Sequence, residues 1–218
     1  MDPHSVIRRD YKELKETLKS YLRRINRTDL KITKDNYAVE LLKDLCRHQN
    51  ETLDAITFNY TDTLERLAHP ANMVSSLLDL RVCHVHGSLN EDDDIVFGVD
   101  DNSDLHREEV YLYKSYSKAK QIKPLFSLLD SYDNIIFFEY SLGDTDSQYF
   151  QPFFSELAKE QRVEKNITFY YYGNTGYDEL NYRLQILTNH RLSVLDSFNN
   201  IEFIDSKDGT YQRPKFLL

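Results

Sequence analysis

Hydrophobic and polar positions along this chain follow two different periods. In residues 5–26, Val6, Leu14, Leu18, Tyr21, Leu22 and Ile25 recur near every 3.6 residues, with Lys, Arg and Glu between them, which predicts an amphipathic helix. A second helix is predicted over 36–49, capped by Asp35, with Val39, Leu41, Leu42, Leu45 and Cys46 as its buried set and Asn50 as its stop. From Ala55 the period shortens. Ile56-Thr57-Phe58-Asn59-Tyr60 is β-branched and aromatic and reads as a strand. Residues 61–65 open a short helix, with Thr61 or Asp62 as cap and Glu65 completing a capping box with Asp62. Residues 81–86 predict a second strand ending at Gly87. Ile95-Val96-Phe97 predicts a third, ending at Gly98 and close enough to the second to form a hairpin at a sheet edge.

Further on, a long helical period over 110–132 is interrupted at Pro124. Residues 134–138 (NIIFF) are continuously apolar, as in a parallel strand covered on both faces. A polar loop and a helix over 147–160 follow. Residues 166–172 form another strand closed by Gly173, helices cover 178–188 and 191–198, a last strand covers 201–204, and 209–218 reads as a tail. Strands that alternate with helices imply an α/β fold with a mainly parallel sheet and flanking helices. The expected organisation is an N-terminal helical segment over 1–53 and an α/β domain over 54–218.

Composition narrows the class. With 40% hydrophobic and 29% charged residues, 6 Gly and 5 Pro, the chain is neither disordered nor repetitive in type. No apolar run approaches the roughly 20 residues of a membrane helix, so no span is expected. The N-terminal residues lack an apolar signal core, and the two cysteines, Cys46 and Cys83, fit a reducing cytoplasm. A net charge of −9 counts against a phosphate-backbone footprint, so nucleic acid is not an expected partner. The basic run from Arg8 to Lys31 is read as the solvated face of a helix.

The candidate chemistry lies at strand ends, where an open parallel sheet places its ligand. Asn59-Tyr60-Thr61, His86-Gly87-Ser88 and Phe97-Gly98 each end an apolar run. His84 and His86 are two apart on a predicted strand, so they share a face; with Asp144 and Asp146 they offer metal ligands, although packed histidines are the commoner outcome and no metal is assigned. Ser141 follows a strand as a nucleophile elbow does, but Glu139 stands where that turn needs Gly, so Ser141 is expected to bond a loop or a ligand phosphate. The acidic run 91–94 is read as a solvated turn. Neither G-x-G-x-x-G nor a Walker loop is present.

Phe58-Asn59-Tyr60-Thr61, His86-Gly87, Phe97-Gly98 and Tyr140-Ser141-Leu142 followed by Asp144 or Asp146 occur in an order that resembles the AbiH family of bacterial abortive-infection, phage-defence proteins. The resemblance covers about residues 54–150 and extends more distantly to sirtuins. It implies a Rossmann-like (sirtuin-like) domain and NAD glycohydrolysis, in which the bond to nicotinamide breaks, an oxocarbenium-like ribose forms and water adds. In that implied site His86 is the general base toward the ribose and Asn59 lies at the nicotinamide pocket. Tyr60, Thr61, Gly87, Ser88, Gly98, Ser141, Leu142, Asp144 and Asp146 would contact the nucleotide. Thr61 stands where sirtuins have the Asp of N-I-D, and Glu139-Tyr140 replaces G-H. The family's G-N-G-F-D stretch and the sirtuin Gly-rich loop have no counterpart before Ala55. A separate chain or an upstream segment is the expected source of that loop, and the chain is expected to be a NAD glycohydrolase or a truncated remnant of one. Two alternatives stand beside this reading: a non-catalytic nucleotide-sensing or protein-interaction module, and a metal-dependent hydrolase working through His84 and His86.

Overall fold

The structure, a computed structural model, describes residues 3–27, 36–48, 53–69, 80–89, 94–101, 103–116, 125–159 and 164–218. In chain order its regular elements are α1 (Pro3–Asn26), α2 (Tyr37–His48), β1 (Leu53–Thr57), α3 (Thr63–Leu67), β2 (Leu80–His84), α4 (Leu125–Asp130), β3 (Asn134–Phe138), α5 (Ser147–Leu157), β4 (Asn166–Tyr171), α6 (Gly173–Leu187), α7 (Leu192–Phe198) and β5 (Asn200–Asp205). Short 3-10 turns lie at Arg107–Leu112, Lys114–Tyr116, Asp144–Asp146 and Lys215–Leu217. The fold is α/β, with two small parallel sheets among the described residues. The chain divides into two compact units, Met1–Ile32 with Asn50–Ile122, and Thr33–Gln49 with Lys123–Leu218.

In the first unit β1 and β2 pair in parallel from Leu53↔Leu80 to Thr57↔His84. The strand predicted over 56–60 starts earlier and stops at Thr57, because the Thr57 hydroxyl accepts the Asn59 N–H at 3.1 Å and turns the chain out of the ladder. β2 likewise stops at His84, whose carbonyl accepts the Gly87 N–H at 3.2 Å. His86 therefore lies in a turn rather than on the strand, and the shared face predicted for the two histidines does not form.

The third strand predicted at 95–97 is replaced by an extended segment. Val96 N–H donates to the His86 carbonyl at 2.7 Å, but the Val96 carbonyl is taken by the Tyr60 hydroxyl at 2.8 Å and the Phe97 carbonyl by the Tyr11 hydroxyl. Phenols occupy the acceptors a ladder would need. Tyr11 of α1 also stacks on Phe97 at 5.9 Å and meets Tyr111 edge-on at 5.4 Å, while Lys15 pairs with Asp94 at 2.6 Å, so α1 holds this segment. The capping box predicted at α3 is absent: the Asp62 side chain makes no cap bond, and the Glu65 carboxylate turns to His84. The long helix predicted over 110–132 is also broken. A parallel bridge between Val99 and Tyr113, with Lys114 N–H on the Val99 carbonyl at 2.9 Å, interrupts it near its start, and α4 covers Leu125–Asp130 of the predicted range. Pro124 lies outside the described residues.

In the second unit β3, β4 and β5 form a parallel sheet with β4 central. Phe137, Phe169 and Phe203 are register partners on adjacent strands and their rings stack at 4.9 and 5.4 Å. Phe150, Phe153, Phe154 and Leu157 of α5 supply the buried side of that helix, and Phe150 and Phe154 pack on Phe137. α2 belongs to this unit; the Asn36 side chain caps it by accepting the Val39 N–H at 3.1 Å, and the predicted cap Asp35 lies outside the described residues. The predicted tail is instead an ordered strap. The Gln212 N–H donates to the Tyr37 hydroxyl and the Gln212 carbonyl accepts from Tyr170, each at 2.8 Å, and Leu217 is buried. Among the described residues, no helix is long and apolar enough to cross a membrane.

Candidate functional site

The carboxyl ends of β1 and β2 bring Asn59, Tyr60, His86 and Gly87 into one turn cluster. Beyond Thr57 and His84 the ladder adds one bond, Val85 N–H to the Thr57 carbonyl at 2.9 Å, and then both chains peel away. Leu89 N–H donates to the Tyr60 carbonyl at 3.1 Å and ties the two departing chains together. Gly87 turns here with φ +76°, and a Cβ on it would overlap the Asp94 carbonyl oxygen. A Cβ on Gly98 would overlap the Leu112 carbonyl oxygen, so both glycines are required by close backbone approach.

His86 is 8% exposed. Phe58 meets its ring edge-on at 5.2 Å, and the Tyr60 ring lies tilted at 6.2 Å. Asn59 beside them is exposed, and Ser88 is buried. The Thr61 and Thr63 hydroxyls bond each other at 2.9 Å. His84 is committed on both sides of its ring: Nδ1 faces the Asn59 carbonyl at 2.8 Å and Nε2 faces Glu65 Oε1 at 2.7 Å. Neither nitrogen is open to a metal, and among the described residues no group of three His, Cys, Asp or Glu is placed to hold one.

Ser141, Leu142, Asp144 and Asp146 lie in the second unit, in the loop after β3. Glu139 and Leu142 adopt positive φ, 45° and 53°, so the left-handed backbone of this turn falls on residues flanking Ser141 rather than on Ser141 itself, as a nucleophile elbow would require. Ser141 is exposed, whereas Leu142 is wholly buried and presents neither side chain nor backbone to a ligand. The Glu139 carboxylate accepts the Ser206 hydroxyl at 2.7 Å. Asp144 is ion-paired with Arg183 of α6. Asp146 accepts the Tyr140 hydroxyl at 3.0 Å; burial first, and then that carboxylate, push the Tyr140 phenol well above its ordinary value.

A family model described as bacteriophage abortive infection AbiH matches residues 2–171. The chain belongs to this family. Membership supports a role in phage abortive infection. No curated protein and no solved structure matches the chain.

In this AbiH chain the matched range includes the turn cluster at β1 and β2 and the loop after β3, and it ends with β4. The residue that the sequence did not offer as part of the site is Glu65. It reads there as a helix cap, and its true partner, His84, is 19 positions away.

Proposed function

We propose that this AbiH chain is a cytoplasmic NAD glycohydrolase acting in phage defence, built on a Rossmann-like, sirtuin-like domain. The observation that carries the reading is His86, an imidazole almost closed off from water between Phe58 and Tyr60, at the carboxyl edge of a parallel strand pair and next to the exposed Asn59. Parallel sheets bind nucleotides at that edge. A histidine side chain there is suited to accept a proton from a ribose hydroxyl as the bond to nicotinamide breaks. The Asn59 carboxamide, with one donor and one acceptor end, suits the nicotinamide amide or the attacking water. Phe58 and Tyr60 supply aromatic surface against an oxocarbenium-like ribose. Water completes the reaction, giving nicotinamide, ADP-ribose and a proton.

The test is nicotinamide release from NAD by the purified protein. His86→Ala is expected to lower the rate by about a hundredfold or more, the usual contribution of a positioned general base, and Asn59→Ala to lower it as well. A rate unchanged in His86→Ala removes that residue from the mechanism. A wild-type protein that binds NAD without releasing nicotinamide is instead a nucleotide sensor.

A further inference from the structure

His84 closes β2 opposite Thr57, and it is not among the residues assigned to the reaction above. Its ring is largely enclosed, with 13% of the side chain exposed, and bridges a backbone carbonyl to a carboxylate. Both partners, the Asn59 carbonyl and Glu65 Oε1, only accept hydrogen bonds, so both bonds are made together when each ring nitrogen carries a proton. A carboxylate on one side of an imidazole fixes the ring plane and thereby the direction in which the other nitrogen points, the same logic by which an acid orients the histidine of a catalytic triad.

The far end of this bridge is Asn59. The Asn59 N–H donates to the Thr57 hydroxyl at 3.1 Å, and its carbonyl is held by His84 at 2.8 Å, so both polar groups of the main chain at this residue are pinned. Its neighbour Tyr60 is pinned as well, through its hydroxyl on the Val96 carbonyl at 2.8 Å and its carbonyl under the Leu89 N–H at 3.1 Å. The Asn59 side chain nevertheless stands exposed. An exposed carboxamide on an unrestrained loop would sample many orientations, and displacement of a reacting group by an ångström already costs about a hundredfold in rate. A rigid main chain under an exposed side chain is what a positioned functional group requires.

We propose that His84 and Glu65 form a positioning pair that holds the Asn59 main chain, and through it the Asn59 carboxamide, in register at the carboxyl edge of the first sheet. The inference rests on the NAD-cleavage reading for what Asn59 does, but not for what holds it.

Three variants test the pair, Glu65→Ala, Glu65→Gln and His84→Ala, with backbone order from 15N relaxation read alongside nicotinamide release. In the free wild-type protein the Asn59 and Tyr60 amides are expected near the rigid value of about 0.85. In Glu65→Ala and His84→Ala they are expected to fall below about 0.6, with the β4 amides unchanged. The rate constant kcat is expected to fall about tenfold or more in both, with KM within about twofold, because the loss is one of alignment rather than of substrate contact. Glu65→Gln keeps an acceptor oxygen for the ring and is expected to restore most of the order and of kcat. A general loss of structure would instead lower order in β4 and the melting temperature together. Glu65 is 39% exposed, so its truncation keeps the test available should His84→Ala fail to fold. Unchanged order at Asn59 and Tyr60 in Glu65→Ala overturns the pair, whatever the enzyme does. A wild type that releases no nicotinamide overturns the NAD reading alone, and the order at Asn59 then decides the pair by itself.

Discussion

Asp44 and Arg213 stand 169 positions apart in the chain and meet through two hydrogen bonds, of 2.8 and 3.0 Å. The pair ties α2 to the C-terminal strap of the second unit. It is unequal: the Asp44 side chain is buried and that of Arg213 reaches solvent. Burial pushes the Asp44 carboxyl up, but the Arg213 guanidinium and the Tyr211 hydroxyl beside it outweigh burial and hold it below the usual carboxylate range. Removing the two partners is therefore not symmetrical. Arg213→Ala leaves a buried carboxylate without its main counter-charge and is expected to lower the melting temperature by several degrees. Asp44→Asn releases the guanidinium to water and is expected to cost less. Thermal unfolding of the two variants checks the order, and equal losses would mean that the strap is held chiefly by its aromatic contacts.

The same unit sets a pH window for stability. Asp44 and Asp205 are both held below the ordinary carboxylate value, Asp205 by the N–H groups of Gly173 and Lys207, each at 2.9 Å. A depressed pKa contributes stability that is complete above the unfolded value of about 4 and is lost as pH falls through the folded value. Tyr37, Tyr170 and Tyr211 shift the other way, all raised first by burial. Their contribution is complete below the unfolded value of about 10 and is lost as pH rises toward the folded values. Urea unfolding across pH is expected to show a plateau between these limits and a fall on both sides. Tyr211→Phe is expected to soften the alkaline fall and, because it removes one of the groups that hold the Asp44 carboxyl down, to soften part of the acid fall as well.

The central strand gives a prediction about the core. Phe169 is 0% exposed and stacks on both Phe137 and Phe203. Phe169→Ala empties a site walled by two strands and a helix and is expected to cost about 3–5 kcal/mol. Phe169→Leu keeps most of the volume and is expected to cost less than about 2 kcal/mol. Chemical denaturation at constant m-value measures both, and a small loss for Phe169→Ala would show that α5 collapses into the gap.

These elements also show what the chain's pattern makes legible. NIIFF reads as a parallel strand and forms β3 at the same residues, although buried and half-buried positions alternate along it, because its β-branched and aromatic side chains favour a strand locally. β4 and β5 fall within a residue or two for the same reason. The first unit was harder to read because side chains there compete for backbone groups. Thr57 ends β1, Tyr11 and Tyr60 take the carbonyls of the predicted third strand, and Glu65 leaves its cap position for His84. Three of these bonds join the backbone to a hydroxyl and the fourth joins a carboxylate to an imidazole, and a hydropathy period encodes none of those partners. The motif residues at the ends of β1 and β2 were legible as a group. The bridge that pins Asn59 was not, because it runs through a histidine that pattern alone placed on the same strand face as His86.

The two tight glycines of the candidate site provide the last prediction. Gly87 has φ +76°, and a Cβ there would overlap the Asp94 carbonyl; Gly98 is barred by the Leu112 carbonyl. Main chain cannot yield as a side-chain tip can, so Gly87→Ala combines a left-handed backbone with a steric clash and is expected to cost about 3 kcal/mol, and Gly98→Ala about 2 kcal/mol. Gly209 is the internal control, since it has φ +74° but nothing within 4 Å of a Cβ. Gly209→Ala carries the left-handed penalty alone and is expected to cost about 1 kcal/mol. If the turn after His86 holds its histidine by this close approach to the 94–98 segment, Gly87→Ala should lower nicotinamide release far more than Gly209→Ala does, measured well below both melting temperatures. Similar activity in the two variants would mean that His86 keeps its place without the tight turn, and that Phe58 and Tyr60 are enough to seat it.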